Sequence, residues 1–137
     1  MTVAEILARH PVRQDALLPI LHDVQSAFGW VSEDSIRTIA KALNLSRAEV
    51  SGVVSFYHDF LRAPDPRPVL KLCRAESCQA RGSEALAAEA ERIAGDRVRV
   101  ATVYCLGLCS VGPNAMVGDR AHARLNGERI AALIGEM

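Results

Sequence analysis

Aromatic residues are scarce: one Trp, two Tyr and three Phe make up 4% of 137 residues. The rings that fall together, Phe56, Tyr57 and Phe60, read as core and not as a platform for stacked bases. Net charge is also missing, because sixteen basic residues balance sixteen acidic ones. Phosphate neutralisation drives non-specific nucleic-acid binding, so a neutral chain has no footprint for it. It has no polybasic patch for anionic lipid either. No long apolar run exists. The longest uncharged stretch, Ala101 to Gly118, is broken by Gly107, Gly112, Pro113 and Asn114, and a spanning helix needs roughly 20 apolar residues. The N-terminus lacks the apolar core and small-residue cleavage site of a signal peptide, so a cytoplasmic location is expected. Cys-x-x-Cys and Cys-x-His are absent as well. The first absence removes a thioredoxin-type dithiol motif and the second a Rieske-type site.

What remains is a globular composition, half apolar and 23% charged. The chain divides at Ala63-Pro64-Asp65-Pro66-Arg67-Pro68, where alternating prolines favour an extended linker. Residues 1–62 read as a helical bundle. Leu17, Ile20, Leu21, Val24 and Phe28 recur at helical spacing before Gly29. Ser32 caps a second helix striped by Ile36, Ile39, Ala40 and Leu43. Ser46 to Glu49 fits a capping box, and Val50, Val53, Val54, Tyr57 and Leu61 form a third stripe. Helices two and three could be read as a DNA-binding pair, but Arg47 and Arg62 are offset by Glu49 and Asp59. A packing role fits better. His10, His22, His58 and His122 read as surface or satisfied core residues, and Trp30 as an interface anchor or a buried ring.

Residues 69–137 alternate instead. Val69 to Leu72 is a strand ending at Cys73. Ser83 to Ala94 is a helix with Leu86, Ala90 and Ile93 on one face. Val98 to Tyr104 is a strand ending at Cys105. Ala115 to Val117 and Ala121 to Leu125 make a hairpin, and Glu128 to Ile134 a last helix. The first strand–helix–strand unit predicts a parallel pair with a right-handed crossover. The expected fold class is α+β: a helical bundle, then a thioredoxin-like domain whose helices flank a small mixed sheet.

Four cysteines carry the chemistry: Cys73-x4-Cys78, a gap of 26 residues, then Cys105-x3-Cys109. Both pairs lie at the C-terminal ends of the predicted parallel strands, the sheet edge where ligands bind. In a reducing compartment disulfides are disfavoured. Zinc commonly uses tighter knuckles, whereas a two-iron cluster divides four thiolates between two metals and suits longer spacings. The spacing favours iron–sulfur and leaves zinc open. Buried structural cysteines, or a metal-free dithiol enzyme, are the remaining readings. Gly107 and Gly112 let backbone N–H groups turn towards sulfur. Leu106 and Leu108 are expected to screen the site, with Arg74, Ser77 and Arg81 as nearby donors.

Cys73-x4-Cys78-x2-Arg81-Gly82, Cys105-Leu106-Gly107-x-Cys109 and Pro113 resemble the thioredoxin-like two-iron ferredoxins. These include the 24 kDa subunit of respiratory complex I and relatives in NAD-linked hydrogenases and formate dehydrogenases. Leu17 to Gln25 and Ala48 to Tyr57 resemble the family's N-terminal signatures, so the similarity runs from about Asp15 onward. The resemblance implies a [2Fe–2S] cluster on Cys73, Cys78, Cys105 and Cys109. Arg81, Gly82, Gly107 and Pro113 would shape the loops around it. It implies docking, aided by the helical half, on a flavin- and NAD-binding subunit of a multi-subunit oxidoreductase. The chain alone is then an electron carrier without turnover of its own, and in isolation it is compatible with a homodimer. Many complex I members have Ala-Pro after the last ligand, where this sequence has Ser110-Val111-Gly112-Pro113, and many carry a C-terminal extension. Both departures point towards the γ subunit of an NAD-dependent formate dehydrogenase. The competing class is a zinc-stabilised interaction module.

Overall fold

A computed structural model describes residues 1–137. It divides into two compact units, Met1–Pro66 and Arg67–Met137, with the division inside the proline-rich run.

The first unit holds four helices: α1 (Val3–Leu7), α2 (Leu17–Phe28), α3 (Glu33–Leu43) and α4 (Arg47–Phe56). Their starts follow from local chemistry. Thr2 with Glu5, and Ser46 with Glu49, form reciprocal capping boxes, and Ser32 accepts from the Ser35 N–H. These bonds satisfy N–H groups that a helix start leaves unpaired. α2 ends at Gly29, whose φ of +77° suits glycine, and α3 ends at Asn44 in the same left-handed region. Ile6, Ile20, Leu21, Val24, Ile36, Ile39, Val50, Val54 and Phe60 fill one core. Gln25 pins the loop after α4, since its Oε1 accepts from the Leu61 N–H at 2.9 Å.

The aromatic expectation needs correction. α4 stops at Phe56, so Tyr57 leaves the helical stripe. Phe56 is 74% exposed, Tyr57 40% and Phe28 38%, and only Phe60 of the clustered rings is buried. Helical periodicity continued past the point where the backbone turns.

The second unit is a four-stranded sheet in the order β2-β1-β3-β4. Its strands are β1 (Val69–Cys73), β2 (Arg99–Val103), β3 (Ala115–Val117) and β4 (Arg120–His122). β1 and β2 run parallel, and β3 is antiparallel to both β1 and β4. The helices are α5 (Glu76–Ala80), α6 (Ser83–Ala94) and α7 (Gly127–Gly135). Leu70 and Leu72 are fully buried among Leu86, Ala90, Ile130, Leu133 and Ile134. α6 and α7 therefore share one face of the sheet and do not flank it. The reason is the two-residue alternation of β1, which puts Leu70 and Leu72 on one side and Val69 and Lys71 on the other. The Gly112–Pro113 peptide is cis.

Candidate metal centre

The parallel pair builds the site. Cys73 closes β1 opposite Val103, and Cys105 follows two residues after β2 ends. The Arg74 N–H donates to the Val103 carbonyl at 2.9 Å, so the chain leaving β1 is stitched to β2 just before the second cysteine pair. Cys78 lies within α5, a short helix that periodicity did not reveal. Cys109 begins a 3-10 turn that ends at Val111.

Two thiol pairs result. Cys73 and Cys78, each 2% exposed, lie within hydrogen-bonding reach of one another. Cys105 and Cys109 are exposed, with their sulfurs 3.7 Å apart. Two thiolates on one tetrahedral ion, with metal–sulfur bonds of about 2.3 Å, stand about 3.8 Å apart. The outer pair already has the spacing for one metal. No three of the His, Cys, Asp and Glu side chains gather as a single-ion site. Two pairs side by side suit a group with two metals and four thiolates better than one zinc ion.

The surroundings favour negative sulfur unevenly. Burial acts to raise the Cys73 thiol pKa. Backbone N–H groups of Ala75, Cys105 and Leu106, with the Cys78 thiol, outweigh it and hold Cys73 below an ordinary thiol. The Cys105 N–H approaches its sulfur to 3.3 Å. Burial pushes the Cys78 thiol up against one opposing donor, the Asn114 backbone N–H. The Cys105 thiol beside it pushes Cys109 up. The Gly107 N–H reaches Cys105 Sγ at 3.4 Å. Cys105 and Gly107 both take positive φ, +73° and +78°. Those angles turn successive N–H groups towards sulfur, an anion-binding concavity of backbone alone.

Several expected neighbours act differently. Arg74 is turned away into an ion pair with Glu84, and Ser77 donates to the Cys109 carbonyl at 2.9 Å; Arg81, though exposed, keeps its Cδ beside Gly112, where Cys78 Sγ also lies. Leu106 and Leu108 are half-buried and leave the outer thiols in water. The donors are therefore main-chain groups, which composition does not display. Asn114, 1% exposed, is a site residue that sequence reasoning missed. Its Nδ2 donates to the Leu108 carbonyl at 2.9 Å. Its place after Gly-Pro was the only signal in the sequence. Gly82 takes a φ of +94° at the start of α6, and Pro113 is buried behind the outer turn.

Replacing Gly107 with Val should loosen the outer turn. A β-branched residue at positive φ costs about 1–3 kcal/mol. A metal held by these thiols should therefore leave Gly107→Val for a chelator roughly tenfold faster than it leaves the parent chain, followed by metal analysis.

A compact α/β unit presents four thiols in two pairs under main-chain donors, the donor set of a cysteine-ligated metal protein. Comparison with known proteins specifies it. The thioredoxin-like [2Fe–2S] ferredoxin family matches residues 3–137. A subunit of the NADH-quinone oxidoreductase from Rhizobium meliloti (strain 1021) is 34% identical over 136 residues, covering 93% of this chain and 81% of its own length. The corresponding NADH-quinone oxidoreductase polypeptide from Escherichia coli (strain K12) is 31% identical over 128 residues, covering 87% and 77%. A solved NAD+-reducing [NiFe]-hydrogenase superposes with a TM-score of 0.70 at 26% identity, over 88% of this chain but 22% of that one. The chain belongs to the thioredoxin-like [2Fe–2S] ferredoxins, and a [2Fe–2S] cluster is its cofactor. No helix is long and apolar enough to cross a membrane.

Proposed function

We propose that Cys73 and Cys78 hold one iron and Cys105 and Cys109 the other, and that the chain passes single electrons to or from the flavin of an NAD(H)-linked partner subunit in the cytoplasm. The observation that carries this is the pairing of four free thiols at one sheet edge, one pair buried and one exposed. When bound, the cluster supplies reversible one-electron chemistry. The protein contributes the rest. Main-chain N–H groups of Ala75, Cys105 and Leu106 stabilise charge on Cys73, and that of Gly107 on Cys105. The α6–α7 layer packs against the sheet beneath the site. Cys105 and Cys109 present the open side to a partner. In this reading residues 69–137 form the cluster domain, 63–68 the linker, and 1–62 the part that helps docking.

For the parent complex, Ser110-Val111-Gly112-Pro113 after the last cysteine, in place of Ala-Pro, supports the γ subunit of a formate dehydrogenase. A Cβ at position 112 would lie 3.1 Å from Cys78 Sγ, so glycine there gives that thiol room. The relatives' own names favour a second reading, as part of an NADH-quinone oxidoreductase or a hydrogenase. Purifying the native complex and assaying NAD+ reduction by formate and by hydrogen, and quinone reduction by NADH, separates these.

The cluster assignment is tested first. Anaerobic iron and acid-labile sulfide analysis should give two of each per chain. EPR should be silent when oxidised and show a spin-half signal after dithionite. One zinc and no sulfide would replace the reading with a structural zinc module.

A further inference from the structure

The turn bearing the outer thiols is held from outside itself by two side chains. Asn114 Nδ2 donates to the Leu108 carbonyl, and Ser77 Oγ donates to the next carbonyl, that of Cys109, each at 2.9 Å. Asn114 is 1% exposed, so water cannot readily replace its bond. Its backbone is engaged as well. The N–H donates to Cys78 Sγ, and the carbonyl accepts from the Cys73 N–H at 3.0 Å. One residue thus touches both cysteines of the inner pair and the turn that carries the outer pair. Its Oδ1 is buried without a partner. A half-satisfied buried amide is unfavourable compared with an apolar residue of the same size. Its use here lies in its donor end.

We propose that Asn114 is the positioning residue that sets Cys105 and Cys109 against Cys73 and Cys78, with Ser77 assisting at the neighbouring carbonyl. This rests on the four-cysteine cluster assignment. The turn needs such a clasp because Cys105 holds a left-handed conformation that only glycine adopts without strain. Without the donor, the Leu108 carbonyl is free to swing towards water and the outer thiols move with it. Added hydration stabilises the more negative, reduced state of the site, so the reduction potential rises.

The test uses the full, cluster-loaded chain carrying Asn114→Leu, which keeps the branching at Cγ and removes the donor, and separately Ser77→Ala. Asn114→Leu should keep two irons and two sulfides but show altered EPR g values. At the parent midpoint it should be roughly tenfold more reduced, an upward shift of about 59 mV for one electron. It should release iron to a chelator roughly tenfold faster. Ser77→Ala should move the same readouts the same way by roughly twofold, because its bond is more exposed to water. Asn114→Leu with unchanged g values, potential and release rate overturns the proposal and leaves Asn114 as packing. Should that variant not fold, Ser77→Ala decides: a shift in g values and potential supports the clasp, and no shift overturns it. A parent chain that itself lacks two irons and two sulfides overturns the cluster assignment, and the clasp with it.

Discussion

Cys78→Ala, purified anaerobically, should contain less than about a tenth of the parent's acid-labile sulfide and give no spin-half signal. A two-iron cluster would take four cysteine thiolates, and the chain has only four cysteines. Cys78 sits beside Cys73, so under the proposed assignment its loss would remove half the protein ligands of one iron. The fold should survive. Cys78 lies outside the apolar core that joins β1 to α6 and α7, so far-UV circular dichroism should remain native. A variant with a full, redox-active two-iron cluster would sink the assignment of Cys78 as a ligand. A misfolded variant would show instead in the dichroism, which separates ligand loss from collapse.

Phe56→Ala in the full chain should weaken binding to the flavin-bearing partner roughly a hundredfold while leaving iron, sulfide and EPR unchanged. Phe56 is 74% exposed and lies edge-on against Tyr57, with ring centroids 4.9 Å apart. An aromatic ring buries about 150–250 Å² when covered. At about 25 cal/mol per Å², covering the exposed part of Phe56 is worth about 3 kcal/mol, and each 1.4 kcal/mol of lost affinity is about tenfold. A chain trimmed to residues 67–137 should behave likewise, with its cluster intact and its affinity lost, because each unit has its own core. Isothermal titration against the purified partner reads both. Equal affinity of trimmed and full chains would remove the docking role given to residues 1–62.

Much of the fold was legible because local rules agree with the tertiary structure. The predicted helix over Ser83 to Ala94 has the observed bounds, and the strands at Cys73 and Cys105 lie within a residue or two of those expected. Capping at Ser32 and Ser46 could be read from side chains that satisfy backbone donors locally. The failures have physical causes. α1 and α5 are five residues each, too short for a periodic stripe. Tyr57 looks internal because the stripe runs on, but the chain leaves the helix there, while Phe56, in the last turn of α4, lies off the stripe and is exposed. Arg74 looks like a donor to sulfur because it is near in sequence. Glu84, at the start of α6, takes Arg74 instead.

Which atoms can bind the cluster is written in the chain itself, since the thiols and their spacing are covalent facts. Their meeting is written there too, because two strands with cysteine at or just past their ends, joined by a helix, pair in parallel with their ends together. What surrounds them had to wait for folding. The donors are peptide N–H groups, which every residue carries, and they become distinctive only when φ and ψ aim them. Packing left Cys73 and Cys78 buried and Cys105 and Cys109 open. It also brought Asn114, distant in sequence from Cys73 and Cys78, against both loops at once.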